Sequence, residues 1–199
     1  MADPYEIIAT PLTLYLAPVG TAFPAIDAAP SGSWVKVGTN GDRSEDEAGV
    51  TVTHSQQIKQ VRTGGSLGPI KAFRDAEDLK IEVTLLDITL EQYQAALNGN
   101  SITTTAAGTG TAGFKKVGLS RGKSVKLYAL LARGASPYAD AMNSQYQFPR
   151  VFQSGDPKPV YKKGVPAGLM LEFTALEDPN AATDDVRFGT LVSQHQVAL

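Results

Sequence analysis

The side chains that could carry acid–base or metal chemistry are few in this sequence. It contains two histidines, His54 and His195, and no cysteine. Serine-based hydrolysis needs a histidine that is held by a carboxylate and touches the nucleophile, and the Gly-x-Ser-x-Gly motif that often presents such a serine does not occur. Two histidines without cysteine also fall short of the usual zinc ligand sets. We therefore expect no catalytic residue, no metal and no cofactor, and a protein that is not an enzyme.

Two glycine-rich stretches resemble nucleotide-binding motifs but lack their context. Three residues lie between Gly118 and Gly122, whereas a phosphate-binding loop has four between its glycines. The stretch from Gly108 to Gly113 has the order G-x-G-x-x-G, but a Thr/Ala-rich segment precedes it and no helical pattern follows it. Neither stretch predicts a nucleotide site.

Two other groups of residues allow a structural and a functional interpretation. Acidic residues are dense from Asp42 to Glu47, but they lack the spacing and central glycine of a calcium loop, so they predict a solvated loop. Tyr146, Phe148 and Phe152 could form a platform for a sugar or one face of the core. Their spacing along a strand favours the core.

The composition favours one domain built from many short elements. The chain has 199 residues, of which 42% are hydrophobic and 19% charged, with 19 Gly and 12 Pro. A net charge of −2 argues against tight nucleic-acid binding. The apolar run from Leu127 to Ala132 is too short to span a bilayer, and residues 1–6 lack the basic and apolar parts of a signal peptide. We expect a single domain, 1–199, made in a cytoplasm without membrane insertion.

The clearest pattern predicts a long β-hairpin over about 50–87. Apolar and polar residues alternate from Val50 to Thr53 and again from Leu79 to Leu85. Since successive side chains of a strand point to opposite faces, each strand has an apolar and a polar face. A strand of about eleven residues would be roughly 36 Å long. Glycines and charges over 61–76 predict a mobile connecting loop. The apolar face would contain Val50, Val52, Ile58, Leu79, Ile81, Val83 and Leu85.

A short helix is predicted over about 89–98. Thr89 and Gln92 have the spacing of a capping box, and Asn98-Gly99 would end the helix. Residues 101–113 predict a flexible loop or a weak hairpin tip. The fold class is therefore mainly β, a sandwich or barrel with one short flanking helix. Further strands are predicted within 7–19, 34–38, 123–133, 144–153, 169–176 and 187–192, with residues 134–143 as a connection.

Four stretches of the chain are similar, in their order and spacing, to a known family. They are Ala9–Leu12 with Leu16–Pro24 and Trp34–Gly38, then Gly49–Gln56, then Gly68–Arg74 with Leu79–Leu85 and Asp87–Gln92, and finally Arg187–Leu191. This order resembles the major tail proteins, or tail tube proteins, of long-tailed bacteriophages. The resemblance spans most of the chain, except 101–163, and no single motif in it is diagnostic.

The resemblance implies a β-sandwich-like subunit that forms hexameric rings, which stack into the hollow tail tube of the virion. Assembly would take place in the host cytoplasm. Hairpins of neighbouring subunits would join into a barrel around a channel. DNA and the tape measure protein would pass through this channel without specific binding. Tail terminator and tail-tip proteins would be further partners.

The resemblance also assigns roles to residues of the hairpin. Its polar face would line the channel, which the family often keeps acidic, although Lys59 and Lys80 lie among these residues with only Glu82 as an acid. The lining residues would be Thr51, Thr53, Ser55, Gln57, Lys59, Lys80, Glu82 and Thr84. The loop would contact the next subunit or ring through Arg62, Thr63, Gly64, Gly65, Ser66, Leu67, Gly68, Lys71 and Arg74. The N-terminal segment and the tail Gln194–Leu199 are further candidates for contacts between rings.

Two alternatives remain open from the sequence. The chain could be another component with the same fold, such as a tail terminator or the tube protein of a secretion system. A terminator would stop at one ring, whereas a tube protein would stack. Alternatively, the aromatic residues and the Thr/Ser-rich faces could belong to a carbohydrate-binding or adhesin module, for which glycan binding by a stable monomer would be the distinguishing observation.

Overall fold

A computed structural model describes residues 7–195 of the chain. The expectations that concern residues 1–6 and 196–199 lie outside the described residues. As predicted, the fold is mainly antiparallel β with one short α-helix, α1 Leu90–Ala96. The strands are β1 Thr13–Pro18, β2 Val35–Lys36, β3 Thr51–Val61, β4 Lys71–Leu85, β5 Ile102–Thr105, β6 Phe114–Val117, β7 Leu127–Ser136, β8 Ala139–Gln153, β9 Leu169–Ala175 and β10 Thr190–Ser193.

Eight of these strands form one antiparallel sheet in the order β2-β1-β7-β8-β9-β4-β3, with β10 beside β8. β8 is long enough to hold two neighbours on one edge. β10 pairs with its residues 144–147, and β9 pairs with its residues 151–153. β5 and β6 form a separate two-stranded sheet. Among the described residues, the sheet therefore ends in β2 on one side and β3 on the other, and β10 and the outer part of β4 also have an unpaired edge.

The main core joins strands that are far apart in the sheet. Leu14 of β1 and Ile81 of β4 belong to one buried cluster, although β7, β8 and β9 lie between their strands in the sheet order. The sheet therefore folds over itself in the manner of a sandwich. A second, smaller cluster lies on the other face of β1 and β7, where the loop after β1 places Trp34 against Leu131.

β3 and β4 form the predicted hairpin, and its outer part extends beyond the rest of the sheet. β9 pairs with β4 only over residues 80–85, so residues 71–79 have β3 as their sole strand neighbour among the described residues. The prediction of a connecting loop over 61–76 is wrong for Val61 and for residues 71–76, which are strand, so the connection is limited to 62–70. Contacts across the strands explain the difference, because Lys59 pairs with Asp75 at 2.7 Å and Arg74 donates to Gln56 at 3.1 Å.

The helix begins and ends as predicted. Thr89 Oγ1 accepts a hydrogen bond from the Gln92 backbone N–H at 3.3 Å, and Asn98 and Gly99 follow the helix with φ of 63° and 71°. The predicted capping box is incomplete, however. Gln92 Oε1 accepts instead from the Gly38 backbone N–H at 3.0 Å. This side chain therefore ties α1 to the segment that follows β2.

Three other sequence expectations differ from the structure. The connection predicted over 134–143 is almost entirely strand, because β7 continues to Ser136 and β8 begins at Ala139. Neither β5, which lies in the loop or hairpin tip predicted over 101–113, nor β6 was predicted as a strand, since four residues are too few for a clear alternation. The acidic segment 42–47 is only partly solvated, because the 3₁₀ turn Gly41–Ser44 places Ser44 and Glu45 in buried positions.

Candidate self-association surface

The residues that could act in catalysis do not converge in the part of the chain that the structure describes. His54 lies on the exposed part of β3 opposite Leu79. The ring of His195 lies 5.2 Å from the ring of Tyr138. No group of three or more histidine or carboxylate residues within 7–195 is arranged to hold a metal ion. The glycine-rich stretches connect β5 to β6 and lead into β7, so neither opens a helix.

A mainly apolar pocket of about 330 Å³ lies between β1, β2, α1 and β7. Its polar edge includes Glu91, Lys126 and Tyr128. Lys115 pairs with Glu91, and the Lys126 Nζ atom lies over the Tyr128 ring at 5.1 Å from its centre. These polar groups are therefore already partnered within the chain, and their arrangement offers no pair of groups for proton transfer.

The register of the hairpin brings the predicted channel-lining residues together on one face, which we call the polar face. Thr51 lies opposite Glu82, Thr53 opposite Lys80, and Ser55 opposite Asp78. Residues that are directly opposite in an antiparallel pair point to the same side. Gln57 and Lys59 continue this face along β3, and Thr84 continues it along β4.

Two further carboxylates belong to the polar face. Asp78 lies opposite Ser55, and Glu172 of β9 lies opposite Glu82. The alternation of β4 could have identified Asp78, but the position of Glu172 depends on β9 lying beside β4, which no local pattern indicates. Lys80 pairs with Glu172 at 3.0 Å, and Lys59 pairs with Asp75 at 2.7 Å. Because Lys59 and Lys80 are neutralised by neighbours, Asp78 and Glu82 leave the inner part of the polar face, residues 51–59 and 78–84, with a negative charge. Beyond the register shift, Lys71 lies on the same side.

The outer half of the hairpin carries apolar side chains that the described part of the chain leaves uncovered. Ile58 is 52% exposed and Phe73 is 47% exposed. Val61, Ile70 and the tip residue Leu67 are exposed as well. We call these five residues the exposed apolar hairpin residues. A register shift between Gln57 and Ile58 puts Ile58 opposite Arg74 and Phe73 opposite Lys59, so the exposed apolar side chains lie on both faces of this two-stranded ribbon. Large exposed apolar side chains grouped on one ribbon are typical of surfaces that bind another protein.

The residues predicted to contact a neighbouring ring occupy the tip of the hairpin and the strand after it. Arg62 to Gly68 form a turn closed by a hydrogen bond from the Ser66 backbone N–H to Thr63 O at 3.1 Å. Lys71 and Arg74 lie within β4 and not in the loop. All of these residues are exposed or half-buried, so their side chains contribute little to the core.

Two other predictions about side chains have clear outcomes. Phe148 is buried and belongs to the main core, with Tyr146 packed against that core, so the expectation of core aromatics is confirmed for these two.

Glu45 is buried, whereas the sequence predicted that the acidic segment around it would be solvated. Burial, and secondly the charge of Asp42, raises the pKa of Glu45 to about 7. Neither of its carboxylate oxygens has a hydrogen-bond partner among the described residues.

No protein-family model matches this chain, and no curated protein matches it. Within residues 7–195, none of the helices has the length and apolar character needed to cross a membrane.

Proposed function

We propose that this protein is a structural subunit that associates with copies of itself into rings, and that these rings stack into the tail tube of a bacteriophage. The observation that carries the proposal is the hairpin of β3 and β4, whose outer half is a two-stranded ribbon with exposed apolar residues on an edge strand. An isolated two-stranded ribbon is marginally stable in water, and an open strand edge is a template for pairing with another chain.

A second copy of the chain is a suitable cover for this ribbon. β3 is an edge strand over Thr51–Val61, and β2, at the other end of the sheet, is an edge strand of only two residues. Hairpins placed side by side would satisfy the open β3 edge and bury the exposed apolar hairpin residues. If such pairing closes into a ring, no hairpin edge remains open, which is the general advantage of a barrel.

The charge on the polar face agrees with a conduit for DNA. Lys59 and Lys80 are held by Asp75 and Glu172, whereas Asp78 and Glu82 add negative charge. A channel lined in this way would repel the phosphate backbone and let DNA pass without sticking. The polar face thus supports the role in DNA passage that the resemblance to tail tube proteins implies.

The test uses the purified full chain, examined by size-exclusion chromatography with light scattering and by negative-stain electron microscopy. We expect rings or hollow filaments. The double substitution Ile58→Asp/Phe73→Asp places charges at the proposed contact and should leave a folded monomer, because neither side chain belongs to the core. The control Val19→Asp/Val160→Asp adds the same two charges at exposed valines outside the hairpin and should assemble normally.

Three outcomes would contradict the proposal. The first is a wild-type chain that stays monomeric at every concentration, and the second is normal assembly by the double variant. The third is a stable monomer that binds glycans, which would favour a carbohydrate-binding module instead. Assembly that stops at a single ring would point to a terminator-like component with the same fold.

A further inference from the structure

Two surfaces of opposite charge lie towards opposite ends of β9, although the net charge is only −2. From residue 92 to residue 139 the sequence has no Asp or Glu, and from 157 to 171 it again has none. Apart from Arg133, which is half-buried in β7, the cations of these two segments are exposed and lie in β6, in the loop before β7 and in the loop before β9. We call them the basic surface: Lys115, Lys116, Arg121, Lys123, Lys126, Lys158, Lys162 and Lys163.

Contacts within the chain hold the two segments of the basic surface together. Arg121 donates to Gly155 O at 3.1 Å and pairs with Asp156 at 3.4 Å, which joins the loop before β7 to the loop after β8. Asn98 Nδ2 donates to the backbone oxygens of Arg121 and Ser124, so the loop before β7 is also tied to the end of α1. Glu91 and Asp156 are the acids paired with this surface, and they neutralise only two of its cations.

Acidic residues line a groove of about 610 Å³ towards the other end of β9. It lies between the outer part of β4 and the loop after β9. Its two arginines are held by its own acids, since Arg74 pairs with Glu77, and Arg187 pairs with both Asp184 and Glu177. We call this the acidic groove, and its carboxylates are Asp75, Glu77, Glu177, Asp184 and Asp185.

The two charged surfaces cannot neutralise each other within one molecule. Arg121 of the basic surface donates to Gly155 O, and Gly155 lies against Glu172 of β9, five residues before Glu177 in the acidic groove. Five residues of extended chain correspond to roughly 17 Å. That distance is about twice the Debye length of about 8 Å at physiological ionic strength. The attraction is therefore available only between molecules.

We propose that the basic surface of one copy docks on the acidic groove of the next copy, head to tail, as a second contact in addition to the hairpin; this inference rests on the self-assembly proposed above. Because the two surfaces differ and lie towards opposite ends of β9, the contact is heterologous. A repeated heterologous contact that does not close produces an open stack with one direction. This contact would thus give the assembly its polarity and make it sensitive to salt.

The test reverses the charges of each surface in the full chain. The basic-reversed variant is Lys123→Glu/Lys163→Glu, and the acid-reversed variant is Asp184→Lys/Asp185→Lys. All four positions are exposed, so the monomers should fold, which circular dichroism verifies. The control Lys36→Glu/Arg43→Glu changes the net charge as much as the basic-reversed variant does, at exposed positions outside both surfaces.

For each reversed variant alone, we expect the mass of stacked assemblies recovered by sedimentation to fall by more than about tenfold, because like charges then face each other. A 1:1 mixture of the two variants should restore stacking, since every contact in an alternating stack is complementary again. A single chain carrying all four substitutions should also stack. Wild-type stacks should shorten as NaCl is raised, and zero-length amine–carboxylate crosslinking should join lysines of the basic surface to acids of the acidic groove.

The results separate this inference from the proposed function. If the reversed variants stack normally while Ile58→Asp/Phe73→Asp fails, the charge contact is wrong and the hairpin contact stands. If the control loses as much assembly as the basic-reversed variant, or if neither the mixture nor the four-substitution chain recovers, the charge contact is also overturned. If wild type never assembles, both proposals fail. If the basic surface binds a single-stranded oligonucleotide and the basic-reversed variant still stacks, the charge contact is overturned and the surface is a nucleic-acid binding surface.

Discussion

Lys80 of β4 and Glu172 of β9 form an ion pair of 3.0 Å across neighbouring strands on the polar face. Glu172 Oε1 also accepts from Ser154 Oγ at 2.9 Å. Lys80, and to a smaller extent Ser154, lowers the pKa of Glu172, and Glu172 raises the pKa of Lys80. The pair therefore joins the base of the hairpin to the rest of the sheet and neutralises a lysine on the inner part of the polar face, which is otherwise acidic.

Removing this lysine should destabilise the protein in a pH-dependent way. Lys80→Met leaves the half-buried Glu172 without its cation, so we expect a lower Tm at pH 7. The pKa of Glu172 is lower in the folded chain than the value of about 4.5 in the unfolded chain. The ionised carboxylate therefore stabilises the fold at pH values above about 4.5, and this stabilisation is lost as the pH falls through the folded pKa. The Tm difference between variant and wild type should therefore shrink at pH 3. Lys59→Met should lower the Tm by less, because Asp75, the partner of Lys59, is more exposed than Glu172. For Lys80→Met, a Tm difference from wild type that is equal at pH 7 and pH 3 would contradict this account.

Glu45 should give the stability of the protein the opposite pH dependence. Its folded pKa of about 7 lies above the unfolded value, so the folded chain binds more protons between these two values. Stability should fall by roughly 3 kcal/mol as pH rises from about 4.5 to 7 and level off above that. Glu45→Gln should remove this slope and raise the free energy of unfolding at pH 8, as measured by urea denaturation. The exposed neighbour Glu47 offers a control, because Glu47→Gln should keep the slope.

Gly189 is required where the chain meets β8. Its φ is 131°, and a Cβ atom there would lie 2.0 Å from Gln147 O. Gly189→Ala must therefore displace β10 from β8, and we expect a loss of about 2–4 kcal/mol in the free energy of unfolding. Gly118→Ala is the matched control, because its Cβ would meet open space at an ordinary φ. A Gly189→Ala variant as stable as this control would show that the close approach is not required.

Deleting residues 63–68 should separate folding from assembly. These residues form the exposed turn at the tip of the hairpin, and Arg62 and Pro69 could be joined to leave a shorter connection. The monomer should keep its Tm within a few degrees, since none of the deleted side chains belongs to the core. Tubes should be absent in negative-stain images. Normal tubes from this variant would exclude the tip as a contact between subunits or rings.

The sequence alone determined the elements whose patterns are local. The alternation from Leu79 to Leu85 predicted β4 and its buried face, and Thr89 with Asn98-Gly99 predicted the bounds of α1. The two faces of the hairpin followed from the same alternation, because a period of two does not depend on the neighbours of a strand. The residues of the polar face on β3 and at 80–84 of β4 could therefore be assigned before the register was known, whereas Glu172 and the side of the outer residues of β4 depend on strand pairing.

Only the tertiary structure decided what depends on partners distant in the sequence. The outer part of β4, residues 71–76, is rich in charged and small residues and became strand because β3 lies opposite it. The burial of Glu45 depends on the segment 41–45 packing beside Leu85. Lys80 appeared to conflict with an acidic face until β9 placed Glu172 beside it. The physical reason is the same in each case. Strand pairing, burial and charge neutralisation depend on which residues are neighbours in space, whereas a local sequence pattern shows only how apolar and polar residues alternate along the chain.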